Sequence, residues 1–169
     1  MRRICLVGAG FIARVHADAL KSIPGVAVTA VVDPNGEAAR QLAAATGGAA
    51  VHASAEAALA AGGIDAAHVL VPPDIHRDAA LPFLEAGVPV LLEKPVGRNE
   101  QEIEAFRAVV AGANVPVLVA HNDVFLPGFE RFETRAKGHA TIGFERRVPA
   151  HAPEVPRVWS RSALSELVQ

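Results

Sequence analysis

The chain has 169 residues, of which 51% are hydrophobic, and a formal net charge of −2 at neutral pH. That is enough apolar chain to bury a core, and it sets an expectation of one domain with a small addition. The charge balance gives no electrostatic case for nucleic acid or an anionic membrane, and no apolar run approaches the roughly 20 residues of a membrane span. Met1-Arg2-Arg3 runs into the first apolar stretch without the core and cleavage site of a signal peptide, and Cys5 is the single cysteine. A cytoplasmic protein without disulfides is therefore expected.

Arg3-Ile4-Cys5-Leu6-Val7 reads as a strand, with Cys5 filling the place of a small apolar residue. Gly8-Ala9-Gly10-Phe11-Ile12-Ala13 follows at once, and 11–22 reads as a helix with Ile12, Val15, Ala19 and Leu20 on one face. Pro24-Gly25 turns the chain into a second strand, 26–32, which ends in Asp33. A strand, a glycine turn, a helix and a strand closing on a carboxylate predict a dinucleotide site. Gly8 permits the tight exit from the strand, and Gly10 leaves room for a pyrophosphate to approach the backbone. Free amides at the start of the helix then face the anion, helped by the helix dipole. Ala13 takes the third position with the smallest possible side-chain addition. Asp33, twenty residues beyond Ala13, is placed to accept from the adenosine ribose hydroxyls and to repel a 2′-phosphate. Pro34 and Asn35 offer no cation there, although Arg40 lies near. NAD is expected over NADP. Methyltransferases that bind S-adenosylmethionine share this layout and stand as a competitor at this point.

The alternation continues. Residues 36–46 read as a helix stopped by Gly47-Gly48, and 49–52 as a short third strand. Ser54 caps a helix to Ala61, and 66–71 is a fourth strand broken by Pro72-Pro73. Asp74 is expected to cap a helix ending at Ala86-Gly87, with Pro82 either kinking it or falling in its first turns. Residues 88–92 form a fifth strand, Asn99 caps a helix to about Ala111, and 115–120 form a sixth strand. Short apolar strands between helices imply an α/β fold, a doubly wound parallel sheet of the Rossmann type, with order 3-2-1-4-5-6. Beyond His121 the expectation is a helix over 125–137, one strand over 140–148, a Pro-rich stretch and a short terminal helix. The domains are accordingly 1–122 for the dinucleotide and 123–169 for a short extension.

The seven histidines are scattered, at 16, 52, 68, 76, 121, 139 and 151, and neither their spacing nor any thiolate cluster suggests a metal. Glu93-Lys94-Pro95 follows the fifth strand directly, where such sheets bind ligands. Of the three lysines, Lys21, Lys94 and Lys137, only Lys94 lies at such a strand end. A lysine there can hold a substrate oxygen and move a proton. Taken alone, Glu93-Lys94 reads as an exposed loop ion pair.

The glycine turn with His16, Val32-Asp33-Pro34, Pro72-Pro73-Asp74-Ile75-His76, the run from Ala86-Gly87 to Glu93-Lys94-Pro95, and His121-Asn122 with Phe125 and Pro127 together resemble the N-terminal half of the Gfo/Idh/MocA oxidoreductases. This family includes glucose–fructose oxidoreductase and inositol 2-dehydrogenase. The resemblance covers roughly 1–148, and its Glu-Lys-Pro turn argues against the methyltransferase. It implies Lys94 as the catalytic residue beside the nicotinamide, with Pro95 shaping the loop through a cis Lys94–Pro95 bond. It also implies a cofactor-binding set of Gly8, Gly10, Phe11, Ile12, Asp33, Val71, Pro72, His76, Glu93, Lys94 and Asn122. His76 would start the helix beside the cofactor, and Glu93 would anchor the loop. His16 is expected only to lie against the first helix or to touch the glycine loop.

Two departures stand out. Proteins of this resemblance carry a second domain of similar size, an open antiparallel sheet supplying the substrate pocket, the dimer surface and an Asp/His pair. Only 140–148 resembles its first strand here. Val71 stands where a small hydroxyl residue is common, which alters a hydrogen bond near the nicotinamide ribose. Two classes of function follow. One is an NAD-dependent oxidoreductase moving hydride to or from a sugar, polyol or related hydroxy compound, with a second copy or subunit completing the pocket. The other is a dinucleotide-binding, regulatory or assembly protein without turnover of its own. An unpaired strand at 140–148 predicts a homodimer or a partner subunit bound through residues after about 125.

Overall fold

The computed structural model describes residues 1–125 and Phe129. The elements expected over 126–169, and the association surface expected there, lie outside the described residues. The first compact unit spans Met1–Val124.

Six parallel strands form one sheet: β1 (Arg2–Val7), β2 (Val26–Val32), β3 (Ala50–His52), β4 (Ala66–Val69), β5 (Val90–Leu92) and β6 (Val117–Val119). Their order is β3-β2-β1-β4-β5-β6, as the sequence predicts. Five helices alternate with them: α1 (Phe11–Lys21), α2 (Gly36–Ala45), α3 (Ala55–Ala61), α4 (His76–Glu85) and α5 (Glu100–Gly112). Strand side chains alternate between faces, so the sheet has two cores. Ile4, Leu6, Val28 and Val31 join α1 and α2 on one side, around Ala13, Ala17 and Leu42. Cys5, Val7, Ala67, Val69 and Leu92 join α3, α4 and α5 on the other, around Phe83 and Phe106. The small side chains Ala13 and Ala17 face the sheet from α1, which lets the helix and the backbone of β1 approach closely.

Three helices begin with side-chain caps that satisfy amides left open by the helical bonding pattern. Asn35 Oδ1 accepts from Glu37 and Ala38, Ser54 Oγ from Ala57, and Asn99 Oδ1 from Glu102. Helix α4 departs from expectation, because Asp74 does not cap it. Pro73–Ile75 forms a separate 3₁₀ turn, and α4 starts at His76 after Ile75 with no side-chain cap. The fixed φ of Pro72 and Pro73 accounts for this: each suits an extended or first-turn position and delays the α-helix. Pro82 lies inside α4, in its second turn.

Strand ends are also shorter than the apolar runs. Val88 is held at the end of α4, its amide bonded to Phe83 O, and so does not enter β5. Leu70 still donates to Val7 O, but Val71 leaves the ladder as the chain turns toward Pro72. At the opposite, N-terminal end of the sheet, Arg3 clamps Asp65 through Nη2–Oδ1 at 2.8 Å and Nε–Oδ2 at 3.2 Å. This pairing holds the Asp65 carboxyl down at about 2.

Candidate functional site

The strand order reverses between β1 and β4, and parallel sheets of this kind bind ligands at the C-terminal strand ends beside that point. Gly8 leaves β1 there with φ +99°, and a Cβ on it would stand 2.9 Å from Leu70 O at the end of β4. Only glycine fits both demands. A Cβ on Gly10 would meet nothing within 4 Å, so the space beside the turn is open. Gly10 is also the residue before α1, which has no side-chain cap and no acidic residue in its first turn. Open space, uncapped amides and the positive end of a helix dipole suit a pyrophosphate. Phe11 is largely exposed on α1, and Ile12 lies partly against the core.

Asp33 closes β2. Its Oδ2 accepts from the Ala9 amide at 2.7 Å and its Oδ1 from the Asn35 amide at 2.7 Å. The carboxylate therefore stands beside the glycine loop in a fixed orientation, partly exposed, with lone pairs left for a further donor. Arg40 is engaged by Glu37 at 3.0 Å.

Val71 forms the wall facing the turn, its Cγ1 3.2 Å from where a Gly8 Cβ would be. Its carbonyl accepts from His76 Nε2 at 2.9 Å. Pro72, exposed, leads from Val71 into the 3₁₀ turn. His76 is 1% exposed, and its Nδ1 has no hydrogen bond among the described residues. A carbonyl can only accept, so Nε2 carries the proton and the ring is the neutral Nε2–H tautomer. Burial lowers its pKa, against the opposing pull of nearby carbonyls and Glu93.

The Lys94–Pro95 bond is cis, as expected. Lys94 itself is exposed at the end of β5. Glu93 corrects the reading of a surface ion pair, because it is 5% exposed and its Oε2 accepts from the Lys94 amide at 3.0 Å. Despite the desolvation, the neighbouring His16 and the Lys94 amide keep its pKa below the usual carboxylate value. His16 also departs from expectation. It reaches across from α1, with Nε2 3.4 Å from Glu93 Oε1 and Nδ1 3.1 Å from His68 Nδ1. His68 was not a sequence candidate. The available clue was strand alternation, which places His68 on β4 and Glu93 after β5 on the sheet face that α1 covers.

Nearly all the expected site residues thus gather at one edge of the sheet. Asn122 lies farther off, exposed in a 3₁₀ turn (Asn122–Phe125) beyond β6, and no hydrogen bond among the described residues ties it to the glycine loop. Among these residues no helix is long and apolar enough to cross a membrane.

The fold and the glycine-loop edge define an α/β protein of the dinucleotide-binding Rossmann class. Comparison with known proteins takes this further: the Gfo/Idh/MocA oxidoreductase family, with its NAD-binding Rossmann fold, matches residues 2–121, and the chain belongs to that family. It is 33% identical over 127 residues to the inositol 2-dehydrogenase of Rhizobium meliloti, covering 75% of this chain and 38% of that one. Identity to the scyllo-inositol 2-dehydrogenase (NADP(+)) of Bacillus subtilis is 27%, over 89% of this chain and 45% of the relative. Among solved structures, GenD2 from gentamicin A biosynthesis in complex with NAD superposes with a TM-score of 0.73 at 29% identity, covering 81% of this chain and 39% of that one. The chain spans less than half the length of each of these three.

Proposed function

We propose that this chain binds NAD, in preference to NADP, across the C-terminal ends of β1 and β4, and contributes the nicotinamide side of an oxidoreductase site for a sugar, polyol or related hydroxy compound. The observation that carries this reading is the union of an open Gly10, an uncapped α1 and a carboxylate fixed beside the same loop. The pyrophosphate is assigned to the loop and the amides of Phe11 and Ile12, and the adenosine ribose to Asp33. Val71, Pro72 and His76 form the wall toward the nicotinamide, and Asn122 borders the far side. Preference for NAD rests on the Asp33 charge and on the absence of a cation at Pro34-Asn35, with Arg40 paired to Glu37. A bound nicotinamide supplies the hydride chemistry. Lys94 is the catalytic residue in this reading: its ammonium holds the substrate oxygen and exchanges a proton with it as the carbinol is oxidised or formed. Glu93 orients the loop that carries it.

Residues 1–122 are read as the dinucleotide domain and 123–169 as part of the substrate and association region, acting as a homodimer or with a partner subunit. A cytoplasmic setting suits a lone cysteine kept as a buried thiol. A second reading is a dinucleotide-binding module without turnover of its own, since the open glycine turn and the fixed Asp33 carboxylate serve a dinucleotide by themselves.

Calorimetric titration of NADH and NADPH into the 169-residue protein tests the first step. Micromolar NADH binding with at least tenfold weaker NADPH supports the reading, and failure of both to bind overturns it. A screen of sugars and polyols with NAD, with Lys94→Ala as control, then separates enzyme from module.

A further inference from the structure

Behind the Lys94 turn lies a line of polar groups, two half-buried histidines and one buried carboxylate, that the proposed chemistry does not use. His68 comes from β4, His16 from α1 and Glu93 from the end of β5. The two imidazoles meet edge to face, with ring centres 5.2 Å apart and planes at 85°, and their Nδ1 atoms are 3.1 Å apart. On its other side His16 presents Nε2 to Glu93 Oε1 at 3.4 Å, and Glu93 Oε2 takes the Lys94 amide at 3.0 Å. The side chains of His16 and Glu93 are only 12% and 7% exposed. Glu93 Oε1 has no hydrogen bond among the described residues, so a small rotation of His16 brings a donor to a buried acceptor that lacks one.

Counting protons leaves one arrangement for neutral rings. Two nitrogens in contact share one proton, so one Nδ1 donates and the other accepts. A neutral His16 whose Nε2–H faces the carboxylate has its lone pair on Nδ1. The shared proton then belongs to His68, as the Nδ1–H tautomer. The other groups facing Glu93 give Oε1 no hydrogen bond: His76 from α4 carries its proton on Nε2, bonded to Val71 O, and Lys94 gives its backbone amide to Oε2 and adds its positive charge nearby. Burial keeps His68 neutral, with a pKa of about 4.

We propose that His16 is a positioning residue for Lys94: held in one tautomer by His68, it holds the Glu93 carboxylate, which in turn fixes the amide of Lys94. The relay stands on geometry, whereas its consequence for a substrate rests on the role proposed above for Lys94. The logic is that of metal-bound and catalytic histidines, where a partner on one ring nitrogen sets what the other can do. Sequence reading gave His16 no such role.

Nuclear magnetic resonance on the full, nitrogen-15-labelled chain tests this without any dinucleotide. Long-range proton–nitrogen spectra at neutral pH are expected to show His68 protonated on Nδ1 and His16 on Nε2, both neutral. His68 protonated on Nε2, or a charged His16, overturns the proposal in the unmodified protein. In a pH titration read on the Lys94 amide proton, His16→Gln keeps a donor and is expected to retain the wild-type midpoint for Glu93. His16→Leu removes the donor and is expected to raise that midpoint by about one pH unit. Equal midpoints in two variants that both melt cooperatively also overturn it. A chain that shows these spectra but binds no NADH loses the earlier reading and keeps the relay; one that binds NADH without them loses only the relay.

Discussion

The amide of Ala9 donates to Asp33 Oδ2 at 2.7 Å, so one bond joins the glycine loop after β1 to the end of β2. The same carboxylate takes the Asn35 amide at the start of α2. Asp33 therefore shapes the loop and, in the proposed reading, also presents charge to a ribose, and substitutions separate the two. Asp33→Asn keeps one acceptor but turns an NH₂ toward the second amide, and Asp33→Ala removes both acceptors. Each is expected to lower stability by about 1–3 kcal/mol, Ala more than Asn. NADH affinity falls about tenfold or more in both, since each lost charge-assisted hydrogen bond is worth roughly 1.5–3 kcal/mol. In Asp33→Ala the ratio of NADPH to NADH affinity rises, because the charge that repels a 2′-phosphate is gone. Denaturant unfolding and calorimetry read the two effects, and an unchanged cofactor ratio counts against the proposed preference.

The two glycines of the turn answer differently to the same change. Gly8→Ala puts a methyl 2.9 Å from Leu70 O on a backbone with φ +99°, and a stability loss above about 2 kcal/mol is expected. Gly10→Ala meets open space, and its melting temperature should stay close to that of the parent. NADH binding should nevertheless weaken at least tenfold, because the methyl occupies the place proposed for the pyrophosphate. Unimpaired binding by the folded Gly10→Ala protein would move the phosphate elsewhere.

Acid is expected to weaken the fold before the carboxylates titrate. Burial holds His68 at about 4 against an ordinary 6.5. Its folded pKa is depressed, so the unfolded chain takes up the proton first. Stability is then full above pH 6.5 and is lost progressively as the pH falls toward about 4. The gap corresponds to a ceiling of about 3 kcal/mol. His76, lowered in the same direction by burial, adds to the slope. Urea unfolding of the parent and His68→Leu at several pH values between 7 and 4.5 measures this. Identical pH slopes in the two proteins would remove His68 as the cause.

Cys5 offers a clean reporter of unfolding. It lies fully buried in β1, and desolvation pushes its thiol up to about 12. Thiol reagents act on the thiolate, so the native protein is expected to resist labelling at pH 8 and to react stoichiometrically in denaturant. Rapid labelling without denaturant would show that β1 opens locally.

Much of this architecture could be read in advance. Apolar runs of strand length, separated by helices with Ser54 and Asn99 at their starts, fixed both the type and the order of the elements. The glycine turn and Asp33 marked the candidate ligand edge because a turn of that shape constrains residue type locally. What escaped was set by tertiary packing. Val88 belongs to the end of α4 and not to β5, since the helix carbonyl at Phe83 claims its amide. Asp74 looked like a cap, but two prolines spent the first turn on a 3₁₀ segment. His16 and His68 meet across 52 positions, and nothing in the neighbourhood of either announces the other. Sheet alternation carried half of that information; the reach of α1 over β4 supplied the rest.

The six residues of β1 end in the glycine turn and begin beside the bidentate Arg3–Asp65 clamp. One strand thus carries a fastening at its first residues and a ligand edge just past its last, with a buried stretch between. The two ends can drift independently: exchanges around the clamp alter how firmly β1 and the start of β4 are seated, while exchanges around the turn alter what is bound. A lineage under pressure for heat tolerance and one under pressure for a new substrate would leave their marks at opposite poles of the same sheet. The clamp pole is also the natural place to attach a dye, a tether or a surface anchor.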